Sequence, residues 1–501
     1  MNSSSNFASA AVAGATVNLA ESVESAGTDE PLVMIHTDAT ILAPESAADR
    51  HKMAARAAML NGPIFPTLLK LAIPTMSVLI AQTAVNVAEA AYVGHLGSAP
   101  LAGVALVFPV FMLMTTMSNG GIGSGVGSAV SRAIGAGRKH DADALVFHAL
   151  ALAVIFGLAF TAGALLLGPS LYHAMGGENE ALEAAVHYSA WLFSGAIPAW
   201  IVNLIASALR GSGNVRVPAI VTLAGAVILI PTSPALIFGF GPIPRLGIAG
   251  AGIAFTTYYT IAALLLLRYM MSGRAGLILK FGSLHSSYFK DILKVGIPSA
   301  IGTVMTNFTV IAVTGAVGLF GINAIAGYGT AARLDYVMIP LLFGLATAVL
   351  TMVGVNVGAG DVARAKRVAW IGGFTGAALT EVIGLVVALF PGLWLHMFTR
   401  DPLVLPVAET YLHIVAPFYG VFGLGLVLGF AAQGAGQGIW PLLGATARML
   451  IAAGIGWLAV AKFGAGMPVL AAIVATSFLA TAAVSAGAMF YKPLWKAAAR
   501  Q

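Results

Sequence analysis

From Pro66 onward, apolar runs of 20 or more residues alternate with short polar breaks, and about 20 helical residues cross about 30 Å of hydrocarbon. Twelve runs can be counted, at 66–93, 100–131, 142–168, 184–209, 217–240, 247–271, 292–317, 324–356, 366–390, 404–432, 440–462 and 468–491. The pattern predicts an all-α polytopic membrane protein with twelve transmembrane helices. The longest break, 272–291, falls at the midpoint. Residues 1–60 are different: rich in Ser and Ala, with seven acids against Arg50, Lys52 and Arg56 and no long apolar run. They read as a disordered cytoplasmic tail, with no cleavable signal, so that the first span directs insertion.

Composition agrees with the pattern. Apolar residues make up 59% of the 501 and charged residues 9%, against about 45–50% and about 25% in soluble domains. Mean hydropathy is +0.91, and the 59 Gly and 23 Pro suit membrane helices, which tolerate both. A net charge of +6 could suggest nucleic acid, but the basic residues gather in the breaks, which makes them an orientation signal. With the amino terminus inside, twenty of the 25 Lys and Arg are internal. Three are external (Arg245, Arg400, Lys462), and Arg333 and Arg448 lie within spans. Both termini are therefore expected in the cytoplasm, with the chain in the plasma (inner) membrane. The chain has no Cys, which excludes disulfides, thiolate metal sites and Cys nucleophiles.

The two halves repeat. Leu69-Lys70-Leu71-Ala72-Ile73-Pro74 returns as Leu293-Lys294-Val295-Gly296-Ile297-Pro298, and Val93-Gly94 with Ala102-Gly103 as Val317-Gly318 with Ala326-Gly327, both offset by 224. Gly135-Ala136-Gly137 returns as Gly358-Ala359-Gly360, and Gly211-Ser212-Gly213 with Pro218 as Gly434-Ala435-Gly436 with Pro441, offset by 223. Six spans per repeat give two lobes of the same topology, 61–271 and 292–501, joined by a cytoplasmic linker at 272–291 and related by an axis along the membrane normal.

These residues resemble the multidrug and toxin extrusion (MATE) transporters, with likeness to the bacterial NorM and DinF branches. The resemblance is carried by Glu89-Ala90-Ala91-Tyr92-Val93-Gly94-His95-Leu96-Gly97 with Leu101-Ala102-Gly103, by Val130-Ser131-Arg132-Ala133-Ile134-Gly135-Ala136-Gly137, and by Gly354-Val355-Asn356-Val357-Gly358-Ala359-Gly360. It covers 63 to about 492. It implies export of amphipathic, often cationic, small molecules in exchange for inward H⁺ or Na⁺, with no cofactor.

Acids within spans are costly and mark function by default; three lie well inside, Glu89, Asp335 and Glu381. Gln82, Asn86 and Glu89 are spaced by four and three and form one polar stripe. Burial suits Glu89 to loading and unloading protons, and it stands where MATE transporters commonly carry Asp in the first helix. Asp335 lies near Arg333, so a locally neutralised pair competes with a coupling role. Glu381 could pair with Arg448. The resemblance breaks elsewhere: Asn307 stands where NorM-like transporters have Glu in the seventh helix, and Phe422 or Gly423 where they have Asp in the tenth. Ser233 before Pro234 replaces the fifth-helix Asp of a second branch. One strong carboxylate without a cluster of acids favours H⁺ over Na⁺, and no metal site is expected.

Aromatic and Met side chains suit flat apolar cations, which nominates Phe108, Met112, Tyr336, Phe418, Tyr419 and Phe422, together with Phe111 and Met114, as cavity candidates. Pro74, Pro198, Pro298 and Pro417 occupy repeat-related places and read as hinges. The Gly-rich 120–127 segment follows no strand, so helix bending and close packing explain it better than a phosphate loop. No catalytic signature appears among the dispersed His and Ser, which argues against an enzyme. A flippase for a lipid-linked substrate would call for a strongly basic cavity, and a channel gives no reason for the duplication. The expected partners are membrane lipids, a small-molecule substrate and H⁺ or Na⁺, with no nucleic acid, and the chain is expected to act as a monomer.

Overall fold

The computed structural model describes residues 47–242 and 244–498, with the side chains of 47–53, Tyr336 and 496–498 outside that description. The described part is helical. Eleven helices are long and apolar enough to cross a membrane, and a bent pair makes the twelfth. In chain order they are α1 Ile64–Gly94, α2 Ser98–Gly135, α3 Lys139–Ala174, α4 Asn179–Ser194 with Ala196–Gly211, α5 Arg216–Phe238, α6 Ile248–Met271, α7 Ser286–Gly318, α8 Ile322–Gly358, α9 Val362–Leu389, α10 Leu405–Gly434, α11 Ile439–Phe463 and α12 Met467–Phe490. Large apolar side chains stay exposed around the outside, among them Leu166 (77%) and Phe463 (82%), as lipid-facing positions require.

The duplication is visible in the turns. Gly97 and Gly321 precede α2 and α8 with φ of 122° and 100°, Gly137 and Gly360 follow them with 74° and 82°, and Gly213 and Gly436 follow α4 and α10 with 86° and 80°. Only a residue without Cβ takes these conformations freely, so the same turn is written into both repeats. Packing repeats as well: α1 lies on α5 as α7 lies on α11, and α2 on α4 as α8 on α10.

The breaks have identifiable causes. α4 bends by 47° at Gly195, where a Cβ would come within 2.6 Å of Thr256 Oγ1 on α6; Pro198 sits in the turn that follows. In α10, Pro417 falls in a 3₁₀ turn, Ala416–Phe418. Pro74 and Pro298 lie in α1 and α7, which continue through them. Turns of π-helix interrupt α2 at Met117–Ile122 and α11 at Met449–Ile455.

The two halves meet where α2 crosses α8, flanked by α1 on α8 and α7 on α2. The crossing is built on glycine. A Cβ on Gly135 would lie 2.0 Å from Val355 O, and one on Gly358 2.1 Å from Arg132 O; these two contacts exchange under the 223-residue offset. Gly121 lies against Ala300, and Gly344 against Met76, in the same relation. Arg132, 3% exposed, pairs with Asp291 at the start of α7 and donates to Ser128 Oγ, while Ser128 Oγ donates to Gln433 O on α10.

Of the 1–60 tail, residues 1–46 lie outside the described part, but Ala47–Asn61 forms a helix that docks at this junction, so the expectation of disorder fails there. Arg56 donates to Ile134 O and Gly135 O at the end of α2 (3.0 and 2.8 Å). From the other half, Asn356 Nδ2 donates to Met59 O (3.2 Å) and Arg364 to Gly62 O. Met59 is 1% exposed, so sparse apolar content in sequence concealed a well-anchored element. The linker is shorter than 272–291, because α7 starts at Ser286. It docks on α3, with Ile278 N–H on Asp143 Oδ1 and His285 N–H on His148 Nε2, each 2.8 Å.

Candidate functional site

Gln82, Asn86 and Glu89 lie on one face of α1 and are half-buried. The Glu89 carboxyl stands beside the Ser233 hydroxyl of α5 and within electrostatic reach of the Tyr188 phenol of α4. Ser233 is fully buried, and its Oγ has no hydrogen-bond partner. Pro231 and Pro234 flank it. Each lacks an N–H, which leaves carbonyls one turn earlier without their helical donors. The stripe therefore faces the interior of the first half, where one carboxyl group meets hydroxyls. Among the described residues no group of three His, Asp or Glu could hold a metal ion.

The second half holds a different cluster. Asp335 of α8 faces Arg448 of α11 together with Tyr411 and Tyr419 of α10. The Arg448 guanidinium lies over two rings, 5.3 Å from the Phe422 centroid and 5.0 Å from that of Phe478, an arrangement that favours a desolvated cation. Asp335 Oδ1, Tyr419 OH and Arg448 Nε are buried without a hydrogen-bond partner.

The other nominated residues are apart from this cluster. Arg333 does not neutralise Asp335; it is exposed and lies 5.3 Å from the Phe398 ring, because residues two apart on a helix face different ways. Glu381 does not pair with Arg448. Its Oε2 accepts from Gly420 N–H (2.8 Å), one of the amides freed where α10 restarts after its 3₁₀ turn. Asn307 is exposed and donates to Thr303 O of its own helix (2.9 Å).

Among the cavity candidates Tyr419 is fully buried and Phe422 covers Arg448. Phe108 is 45% exposed, and Met112 and Phe418 are half-buried. Phe111 packs edge-on against Phe255 at 5.2 Å, and Met114 is core. The Tyr336 side chain lies outside the described part.

Comparison with known proteins adds a decisive match: a family model described as MatE fits residues 74–235 and again residues 298–458. The chain belongs to the MatE family. The two matched segments restate the duplication. A protein of Shewanella oneidensis named "FAD transporter" is 25% identical over 390 residues, covering 76% of this chain and 84% of its own. A "Probable multidrug resistance protein NorM" of Thermotoga maritima is 26% identical over 380 residues, covering 75% and 81%. Two solved structures are similar throughout: "MATE in the bent conformation" (26% identity, TM-score 0.81) and an "outward-facing conformation of a multidrug resistance MATE family transporter" (25%, 0.78), each covering 89% of this chain and 99% of the other. The protein is thus a multi-pass membrane transporter of the MatE family.

Within this MatE chain, sequence reading missed one buried cation, Arg132, and one half-buried one, Arg210. Both fall just beyond the ends of apolar runs, at 131 and 209, yet lie in the last turns of helices. Hydropathy is blind to them, since an Arg at the end of an apolar run reads as its boundary. The repeat held the available signal: the partner of Arg210 at offset 223 is Gln433, a neutral residue.

Proposed function

We propose that the protein is a proton-coupled antiporter that exports amphipathic small molecules, cationic ones included, by rocking its two six-helix lobes about the α2–α8 crossing. The carrying observation is Glu89, a half-buried carboxyl group on the inward face of α1 whose nearest polar neighbours are the Ser233 hydroxyl and the Tyr188 phenol. Charging it there is costly, so its occupancy by a proton can bias the lobe between two arrangements. A desolvated Na⁺ is served by several oxygen ligands and charge balance, and among the described residues no group of three or more acids and histidines could hold a metal ion. The relatives named for multidrug resistance support the cargo class. The positive-inside bias supports an inner-membrane orientation with both termini, and the sealed Gly135–Gly358 end, toward the cytoplasm.

The test is reconstitution with ΔpH and ΔpNa imposed separately while efflux of a fluorescent cation is followed. Efflux driven by ΔpH alone is the expected result; efflux driven by ΔpNa alone would overturn the proton assignment.

A further inference from the structure

Arg210 is the residue that the proton-coupled reading leaves unused. It ends α4 and lines a small crevice of about 30 Å³, partly open to solvent, walled by α1, α2, α4, α5 and Phe343 of α8. The polar groups presented there are Thr75, Gln82, Asn119, Asn203 and Thr222. The guanidinium donates to Ser207 Oγ (2.7 Å) and makes a longer contact to Asn119 Oδ1 (3.4 Å). Both partners are neutral, and no carboxylate pairs with Arg210 among the described residues.

A charge removed from bulk water is ordinarily paired. Arg132, at the end of α2, has Asp291, and Arg448 has Asp335 within its cluster. Arg210 alone of these three faces a cavity without an acid. The carbonyl end of α4 offsets part of the charge, but the Nη2 hydrogen bonds use only some of the five donors of the fork. Gln433, the partner of Arg210 in the other half, is 3% exposed with its Oε1 unpaired. The cation therefore belongs to one lobe only.

We propose that this crevice binds an oxyanion group, phosphate or carboxylate, with Arg210 as the charged anchor and the amides of Asn119 and Gln82 as neutral donors. A planar guanidinium matches such groups in a bidentate manner. This deepens the export reading and rests on it for the role of the site: cargo would include amphipaths that carry an acidic group. The oxyanion can belong to a soluble cargo or to a lipid head group.

The test uses the purified full chain in detergent with no ion gradient, so it is independent of coupling. Inorganic pyrophosphate is titrated while the thermal midpoint is followed, for wild type, Arg210→Lys and Arg210→Gln, with chloride at matched ionic strength as control. Wild type should be stabilised at concentrations at least tenfold below those needed by Arg210→Gln, with Arg210→Lys between them. Each variant is compared with itself without anion, so that any change in intrinsic stability on losing the Arg210 hydrogen bonds is subtracted. Repeating the titration in micelles containing phosphatidylglycerol separates the sources: loss of the pyrophosphate effect there assigns the site to lipid phosphate, and its persistence to a soluble anion. Equal responses in wild type and Arg210→Gln, or none in wild type, would overturn the site while leaving proton-driven export standing.

Discussion

At the scale of single residues, the protein places one acid among hydroxyls and another in a charged network. Among the described residues Glu89 meets Ser233 and Tyr188 and no basic group, so Glu89→Gln should insert and melt like wild type while substrate-driven proton release in inverted vesicles falls to background. Full antiport in that variant would remove Glu89 from the coupling site. Asp335 stands in a cluster with Arg448, and removing one member of a buried charged set typically costs about 3–5 kcal/mol. Asp335→Asn is therefore expected to lower the thermal midpoint by several degrees, and Asp335→Asn with Arg448→Met to recover much of the loss; an unchanged midpoint in the single variant would contradict the network. Legibility differed between the two sites. Glu89 could be read because its partners in the stripe recur at helical spacing on one helix. The Asp335–Arg448 relation could not, since it joins helices 113 residues apart and its counterparts under the repeat, Met112 and Gly225, carry no charge.

At the scale of elements, every transmembrane span was legible in length and hydropathy, and the prolines and the Gly-rich segment marked where α4, α10 and α2 depart from regular helix, but not the contacts that set each break. The break in α4 depends on how closely Gly195 approaches Thr256, a tertiary fact, and the cap that Glu381 gives Gly420 exists only because α10 is broken at Pro417. The α2–α8 crossing is similarly a matter of backbone proximity. Ser131 Oγ lies where a Cβ on Gly354 would be 1.9 Å away, and Ser131 Cβ 2.9 Å, close enough that paired cysteines could bridge after slight relaxation. In this Cys-free chain, Ser131→Cys with Gly354→Cys should form a disulfide that stops transport and releases it on reduction. Transport at wild-type rate by the oxidised form would show that this junction does not open. The docked helix Ala47–Asn61 ties the same ends together through Arg56, Asn356 and Arg364, so it must shift whenever they part.

At the scale of the molecule, duplication supplies two equivalent frames, and divergence places different chemistry in each: a protonatable carboxyl and an unpaired Arg210 in the first, a compensated Asp335–Arg448 cluster in the second. Equivalent frames around one seam can exchange which end is closed, as rigid bodies rocking about the glycine crossing. Under the proton-coupled proposal the asymmetry would let a proton on one side bias that exchange, since a ligand shifts an equilibrium only by its differential affinity for the two states. The frame was visible in the sequence through the 223–224 offset, whereas the close crossing of α2 and α8 was visible only once Gly135 met Val355 and Gly358 met Arg132. Spin labels at His95 and Leu319, exposed residues placed at matching points by the offset, report directly on the far end of the seam. Their separation should occupy at least two populations whose weights change with pH, and Glu89→Gln should hold, at every pH, the population that wild type adopts in acid. A single distance unaffected by pH, or pH dependence unchanged in Glu89→Gln, would contradict the account.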